Sequence, residues 1–200
     1  MEKFLEIFTL VTGIIYIVLE IRQKNAMWIV GILTSIAAMI AFFSQGLYAS
    51  FGLNTYYLIT SFIGLWQWRR DKQKIGNESE TQIHLNCLTT KAIVSSIIIA
   101  VAGIAALSWG MELLAGLGLK ENPMSYLDAS VAILSAIATW WLVKAYIEQW
   151  WLWIVADSLS IALCATQGMW WMALLYTAYV IAAAIGLKHW KKHGVAVADK

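Results

Sequence analysis

The residue with the greatest chemical consequence is Asp157, set in the middle of the apolar stretch Trp150–Gln167. Trp150, Trp153 and Asp157 fall at i, i+3 and i+7, so a helix there carries two indoles and a carboxylate on one face. A charged carboxylate at the centre of a membrane span costs about 3 kcal/mol, so it requires a partner, a proton or a cationic ligand. A second stripe is Asn54, Tyr57, Ser61, Gly64 and Trp68, and a third is Tyr176, Tyr179, Ala183, Gly186 and Trp190. Asn54, Tyr57, Tyr176 and Tyr179 are expected to line a pocket. The small residues in the stripes are expected to let helices approach closely. Thr34 and Ser35 stand at the mouth of the same region, and Gln45 and Gln167 fall in tight turns that could gate it. Aromatic faces attract an organic cation by roughly 0.5–2 kcal/mol per good contact, and a carboxylate neutralises its charge. The chemistry is therefore reversible binding of a flat, positively charged ring such as a thiazolium or a pyridinium.

Catalysis has no comparable constellation. His84, His189 and His193 lie in the polar linker or at a span boundary, and no His/Asp/Glu cluster shares one depth. A membrane-embedded enzyme is thus the rejected alternative. Cys87 and Cys164 have no Cys or His neighbours at metal-ligand spacing, so neither a disulfide framework nor a metal is expected. No nucleotide-binding glycine loop is present, and no cofactor is expected.

The elements that must position these groups are apolar and long. The 200 residues are 60% hydrophobic and only 13% charged, where a soluble domain carries about 25% charged residues. So small a polar fraction makes the lipid bilayer the solvent, and no basic block points to nucleic acid. Seven apolar stretches are expected as transmembrane helices: Phe4–Leu19, Met27–Phe43, Leu47–Trp68, Ala92–Leu114, Tyr126–Val143, Trp150–Gln167 and Trp170–Leu187. Open sheet edges do not occur in lipid, which excludes strands. Between them lies one polar linker, 69–90, and the chain ends in a short tail expected to be solvated. The first span is read as retained, not as a cleaved signal peptide.

Charge sets the orientation. Assigning the loops after the first, third and fifth spans and the C-terminus to one side gives it twelve Lys and Arg, from Arg22 and Lys24 to Lys191, Lys192 and Lys200; the other side has only Lys3 and Lys120. Basic residues collect on the cytoplasmic side, so the expectation is an N-terminus outside and a C-terminus inside. Trp28, Trp68, Trp150 and Trp190, at span ends, suit interfacial anchoring. Glu20 beside Arg22 suits a surface ion pair.

Sliding the chain against itself by 122 residues aligns its halves without gaps. Trp28 falls on Trp150, Gln45-Gly46 on Gln167-Gly168, Tyr57 on Tyr179, Gly64-Leu65 on Gly186-Leu187 and Trp68 on Trp190. Arg69-Arg70 falls on Lys191-Lys192, and Arg22 on Lys144. Three helices end on the side opposite their start, so the fourth helix is needed to restore direction. The expected architecture is all-α and transmembrane, seven helices as 3+1+3, with two parallel three-helix repeats and a substrate site near the midplane between them. Its divisions are 1–70 (first repeat), 71–122 (linker and fourth helix), 123–192 (second repeat) and 193–200 (tail).

Both repeats end in G-x-x-x-W, and the sixth helix opens with E-x-W-x-x-W-I. On these motifs, and over nearly its whole length, the chain resembles the PnuC/PnuT family of bacterial vitamin transporters, itself similar to SWEET sugar transporters in its parallel three-helix repeats. The resemblance implies a multi-pass protein of the bacterial inner membrane. It further implies facilitated diffusion of an unphosphorylated B-vitamin, trapping by a cytoplasmic vitamin kinase, and a homo-oligomer, possibly a trimer. TGIIYIVLEIRQ and ADSLSIAL look closer to the thiamine branch, PnuT, and Asp157 stands where nicotinamide riboside members tend to have Asn. Thiamine is therefore the first expectation and nicotinamide riboside the alternative, with riboflavin behind both. Each of the first two is a cationic aromatic, so the pocket residues alone do not separate them.

Overall fold

The computed structural model describes residues 2–44, 48–75, 83–116 and 124–196. Among these are seven helices: α1 (Glu2–Ile21), α2 (Ala26–Ser44), α3 (Tyr48–Ile75), α4 (Thr90–Gly116), α5 (Ser125–Val143), α6 (Gln149–Thr166) and α7 (Trp170–His193). The helices start and stop close to the apolar stretches. The main departure is α3, which runs about two turns past Trp68 into RRDKQKI. Arg, Lys and Gln are good helix formers, and no Gly or Pro interrupts them before Gly76. Within the described residues, Thr90–Leu113, Ser125–Val143 and Met172–His193 are each long and apolar enough to cross a membrane.

The linker and tail are not merely solvated. Ile83–Leu85 forms a strand, β1, that pairs in parallel with a second strand, β2 (Gly194–Ala196), placing His84 opposite Val195. A parallel pair needs no turn between its strands, so it can join segments far apart in sequence.

The chain forms two compact units. The first comprises Met1–Asn86, Leu142–Ile147 and Lys188–Lys200; the second comprises Cys87–Trp141 and Glu148–Leu187. In the first unit α2 and α3 pack tightly because their contacts are small. A Cβ built on Gly31 would lie 2.9 Å from Ser61 Oγ, and one on Gly64 would lie 2.5 Å from the Trp28 ring. In the second unit a Cβ on Gly186 would lie 2.4 Å from the Trp150 ring. The Trp28–Gly64 and Trp150–Gly186 contacts are equivalent in the 122-residue register, and each requires a residue without a side chain. Elsewhere in the second unit α4 and α5 meet at Gly103 and Ile133, and the Trp141 indole donates to Ser96 Oγ at 3.0 Å. Most of the rest of α4 is exposed apolar surface, including Ile93, Val94, Ile97, Ile98, Ile99 and Val101. Such a surface suits lipid contact.

Two expectations are corrected. Trp28, Trp68 and Trp190 are wholly buried and Trp150 is 1% exposed, so none is an anchor in the lipid headgroup layer. An interfacial Trp keeps its N–H in water, whereas those of Trp68 and Trp190 donate to the carbonyls of Leu142 and Ile21, at 3.1 and 3.0 Å. Glu20 is also buried, 4% exposed, and not at a solvated surface. Among the described residues, the bulkiest fully buried side chains of the first unit, Met27, Trp28, Trp68, Ile83, His84, Leu142 and Trp190, gather at the basic helix ends.

Candidate functional site

In the second unit the buried face of α6 carries Trp150, Asp157, Ser160 and Cys164, each three, four or seven residues from the next. Trp150 wedges against Gly186 of α7 and so fixes the two helices side by side at their basic ends. It packs between the helices, and Trp153, one turn further along, is half-buried. The Trp153 indole N–H is buried and has no hydrogen-bond partner among the described residues. Asp157, another turn on, is 7% exposed. Ser160, on the same face, is self-satisfied: its hydroxyl donates to the Ala156 carbonyl at 2.9 Å.

Helix α7 brings two phenols toward this face. Tyr176 and Tyr179 form an edge-on pair with ring centroids 6.1 Å apart, and both lie within electrostatic range of the Asp157 carboxylate. The short turn between α6 and α7 is what aligns the helices. Gly168 takes φ +72°, a left-handed conformation suited to Gly. Its N–H donates to Ala165 O at 3.1 Å and that of Met169 to Cys164 O at 2.9 Å. Gln167 is the exposed C-terminal cap of α6, in the turn as expected. The second unit therefore gathers Trp153, Asp157, Tyr176 and Tyr179: one buried carboxylate, one unpartnered indole N–H and three aromatic faces.

In the first unit Asn54 and Tyr57 share a face of α3, both half-buried, and the Tyr57 ring lies 5.7 Å from that of Tyr56. Ser35 on α2 is buried, 5% exposed. Thr34, beside it, is bonded back to its own helix, to Val30 O at 2.9 Å and Gly31 O at 3.1 Å, so its hydroxyl is already engaged. Ser61 fills the close approach to Gly31, in keeping with a packing role. Gln45 lies outside the described residues.

A polar group of the first unit escaped sequence reasoning. Gln23, Asp71, His84 and Asn86 join through hydrogen bonds at the basic helix ends. Gln23 and Asp71 are 1% exposed and His84 is wholly buried. One signal was available: Gln23 and Ala145, 122 residues apart, close the first helix of each repeat. Both adopt left-handed backbone, φ +48° and +54°, a conformation that a register of apolar residues does not reveal.

Comparison with known proteins identifies the family. The family model described as "Nicotinamide mononucleotide transporter" matches residues 3–192. The chain is similar to the nicotinamide riboside transporter PnuC of Escherichia coli, with 21% identity over 94% of this chain and 85% of that protein. It is also similar to the PnuC proteins of Neisseria mucosa (25% identity; 96% and 73% covered) and Haemophilus influenzae (24%; 96% and 80%). Among solved structures it resembles "Crystal structure of the Vitamin B3 transporter PnuC" with a TM-score of 0.64, 24% identity, and 92% of this chain and 79% of that one covered. With a family model spanning all seven helices, the chain belongs to the nicotinamide mononucleotide transporter family.

Proposed function

We propose that this protein carries nicotinamide riboside across the bacterial inner membrane by facilitated diffusion. The observation that carries the reading is the pairing on α6 of a buried carboxylate with a buried, unpartnered indole N–H, faced by two phenols of α7. Unsatisfied polar groups inside a span mark a ligand path. The substrate's pyridinium ring is flat and positively charged. Asp157 balances the charge, Trp153 and Tyr179 offer faces to the ring, and the Trp153 N–H has a hydroxyl or amide oxygen to meet.

The relatives' names favour nicotinamide riboside over the thiamine first expected from the sequence. Thiamine is also a cationic aromatic, so the carboxylate at 157 suits it as well, and it is the second reading. We infer that the repeats run parallel. Trp68 and Trp190, equivalent in register, lie 6.3 Å apart at the ends of α3 and α7; inverted repeats would carry them to opposite faces of the membrane. The basic end is assigned to the cytoplasm by charge, where a vitamin kinase would trap the cargo. The test is a tryptophan-fluorescence titration of the purified protein with nicotinamide riboside, thiamine and riboflavin side by side. The expected order of affinity is nicotinamide riboside first. Tighter binding of thiamine would transfer the assignment to it.

A further inference from the structure

At the basic end of the first unit two hydrogen bonds cross between the repeats. The Trp68 N–H, at the end of the first repeat, donates to the Leu142 carbonyl at the end of α5. The Trp190 N–H, at the end of the second, donates to the Ile21 carbonyl at the end of α1. Trp68 and Trp190 are 122 residues apart, and Ile21 and Leu142 differ from that spacing by one. The result is a reciprocal clasp with the indole rings edge to face at 6.3 Å.

The linker is threaded onto this clasp. Gln23 grips the His84 main chain from both sides: its side-chain carbonyl accepts from the His84 N–H and its amide donates to the His84 carbonyl, each at 2.8 Å. The His84 ring meets the Trp68 ring edge-on at 5.5 Å. Asn86 binds the other repeat. Its N–H donates to Ala145 O at 3.2 Å, and its side-chain amide donates to Lys144 O at 2.8 Å and to Asp71 Oδ2 at 3.1 Å. Lys72 Nζ donates to Gln23 O at 2.8 Å, and Lys144 Nζ to Gln67 Oε1 at 3.2 Å. Pairing of β1 with β2 then ties the same segment to the chain beyond α7. One short stretch, His84–Asn86, thus bonds to the ends of the first helices of both repeats and to the strand that follows the last helix.

Two features mark the segment as releasable. Beside the buried Ile83 side chain, it is held by a set of polar bonds that water can replace. And His84, wholly buried, leaves both ring nitrogens without a hydrogen bond, a cost that exposure to water removes.

We propose that His84–Asn86, with its β2 partner, is a latch across the basic ends of the two repeats, and that the basic mouth of the transporter opens only when the latch lets go. The inference rests on the transporter reading above. The test locks the strap. Leu85 and Ala196 are register partners, so Leu85→Cys with Ala196→Cys, in a Cys87→Ser background, is oxidised to a disulfide and assayed for nicotinamide riboside uptake into proteoliposomes. The oxidised protein is expected to transport at least about tenfold more slowly, as when a gating motion limits turnover. Reductant restores the rate, and fluorescence titration shows substrate binding retained. Transport by the oxidised form at the rate of the reduced form would overturn the latch. So would failure of the pair to crosslink, because it would contradict the strand pairing. If the reduced and wild-type proteins both move no vitamin, the functional reading fails instead. An independent readout needs no substrate. Asn86→Ala is expected to speed amide hydrogen exchange across residues 83–86 by about tenfold or more, as for a locally opened segment. Unchanged exchange there would also refute the proposal.

Discussion

At the scale of single residues, Asp157 carries the greatest chemical consequence. Its carboxylate is buried on α6, and two phenols of α7 lie within its electrostatic range. If it balances the charge of a substrate, Asp157→Asn keeps the shape and removes the charge. Affinity for nicotinamide riboside is then expected to fall by about ten- to hundredfold, the roughly 1.5–3 kcal/mol of an interaction with a charged group. Riboflavin, which is uncharged, provides the control: its weaker binding should not move. Parallel titrations of the variant check both. The sequence disclosed this residue because a carboxylate inside an apolar stretch is conspicuous. It misplaced the tryptophans for the converse reason. Trp at a span end looks the same whether it faces lipid headgroups or a neighbouring helix, and only the Gly64 and Gly186 contacts distinguish the two.

Between elements, the same pair of contacts gives a matched prediction. A methyl group added at Gly64 or Gly186 has no room, since each ideal Cβ position lies within 2.6 Å of three atoms of an indole ring. Overpacking of this kind costs about 1–3 kcal/mol. Gly64→Ala and Gly186→Ala are both expected to lower the melting temperature in detergent, by similar amounts, whereas Gly110→Ala, in open space on α4, is expected to leave it unchanged. The linker strand supplies a pH dependence. Burial pushes His84 down from its ordinary 6.5 to about 4; the nearby Asp71 carboxylate opposes that shift and Lys72 adds to it. A buried neutral His favours the folded form only while it stays unprotonated. Its contribution is therefore complete above pH 6.5 and is lost as pH falls toward 4, about 3 kcal/mol in all at roughly 1.4 kcal/mol per unit. Melting curves at pH 7.5 and 5 check this: His84→Phe is expected to shrink the difference between them. Helix positions were legible from apolar periodicity. The docking of β1 was not, because a polar segment carries no period, and Gln23 grips it from 61 residues away.

For the whole molecule, the 122-residue register had the longest reach. It paired Trp28 with Trp150, Gly64 with Gly186 and Trp68 with Trp190 before any coordinates, and the structure gives each pair an equivalent role. The register cannot reveal that equivalent residues meet each other, as Trp68 and Trp190 do. Parallel repeats predict that Arg69→Cys and Lys191→Cys, equivalent positions, react with a membrane-impermeant thiol reagent from one and the same side. The charge-based assignment of that side to the cytoplasm predicts labelling only in inside-out vesicles; labelling of the two from opposite sides would mean inverted repeats. The most direct test of the central claim is uptake. Proteoliposomes of the purified protein preloaded with unlabelled nicotinamide riboside should accumulate the labelled compound by counterflow, without ATP or an ion gradient. No counterflow for nicotinamide riboside, with thiamine moved under the same conditions, would contradict the substrate assigned here.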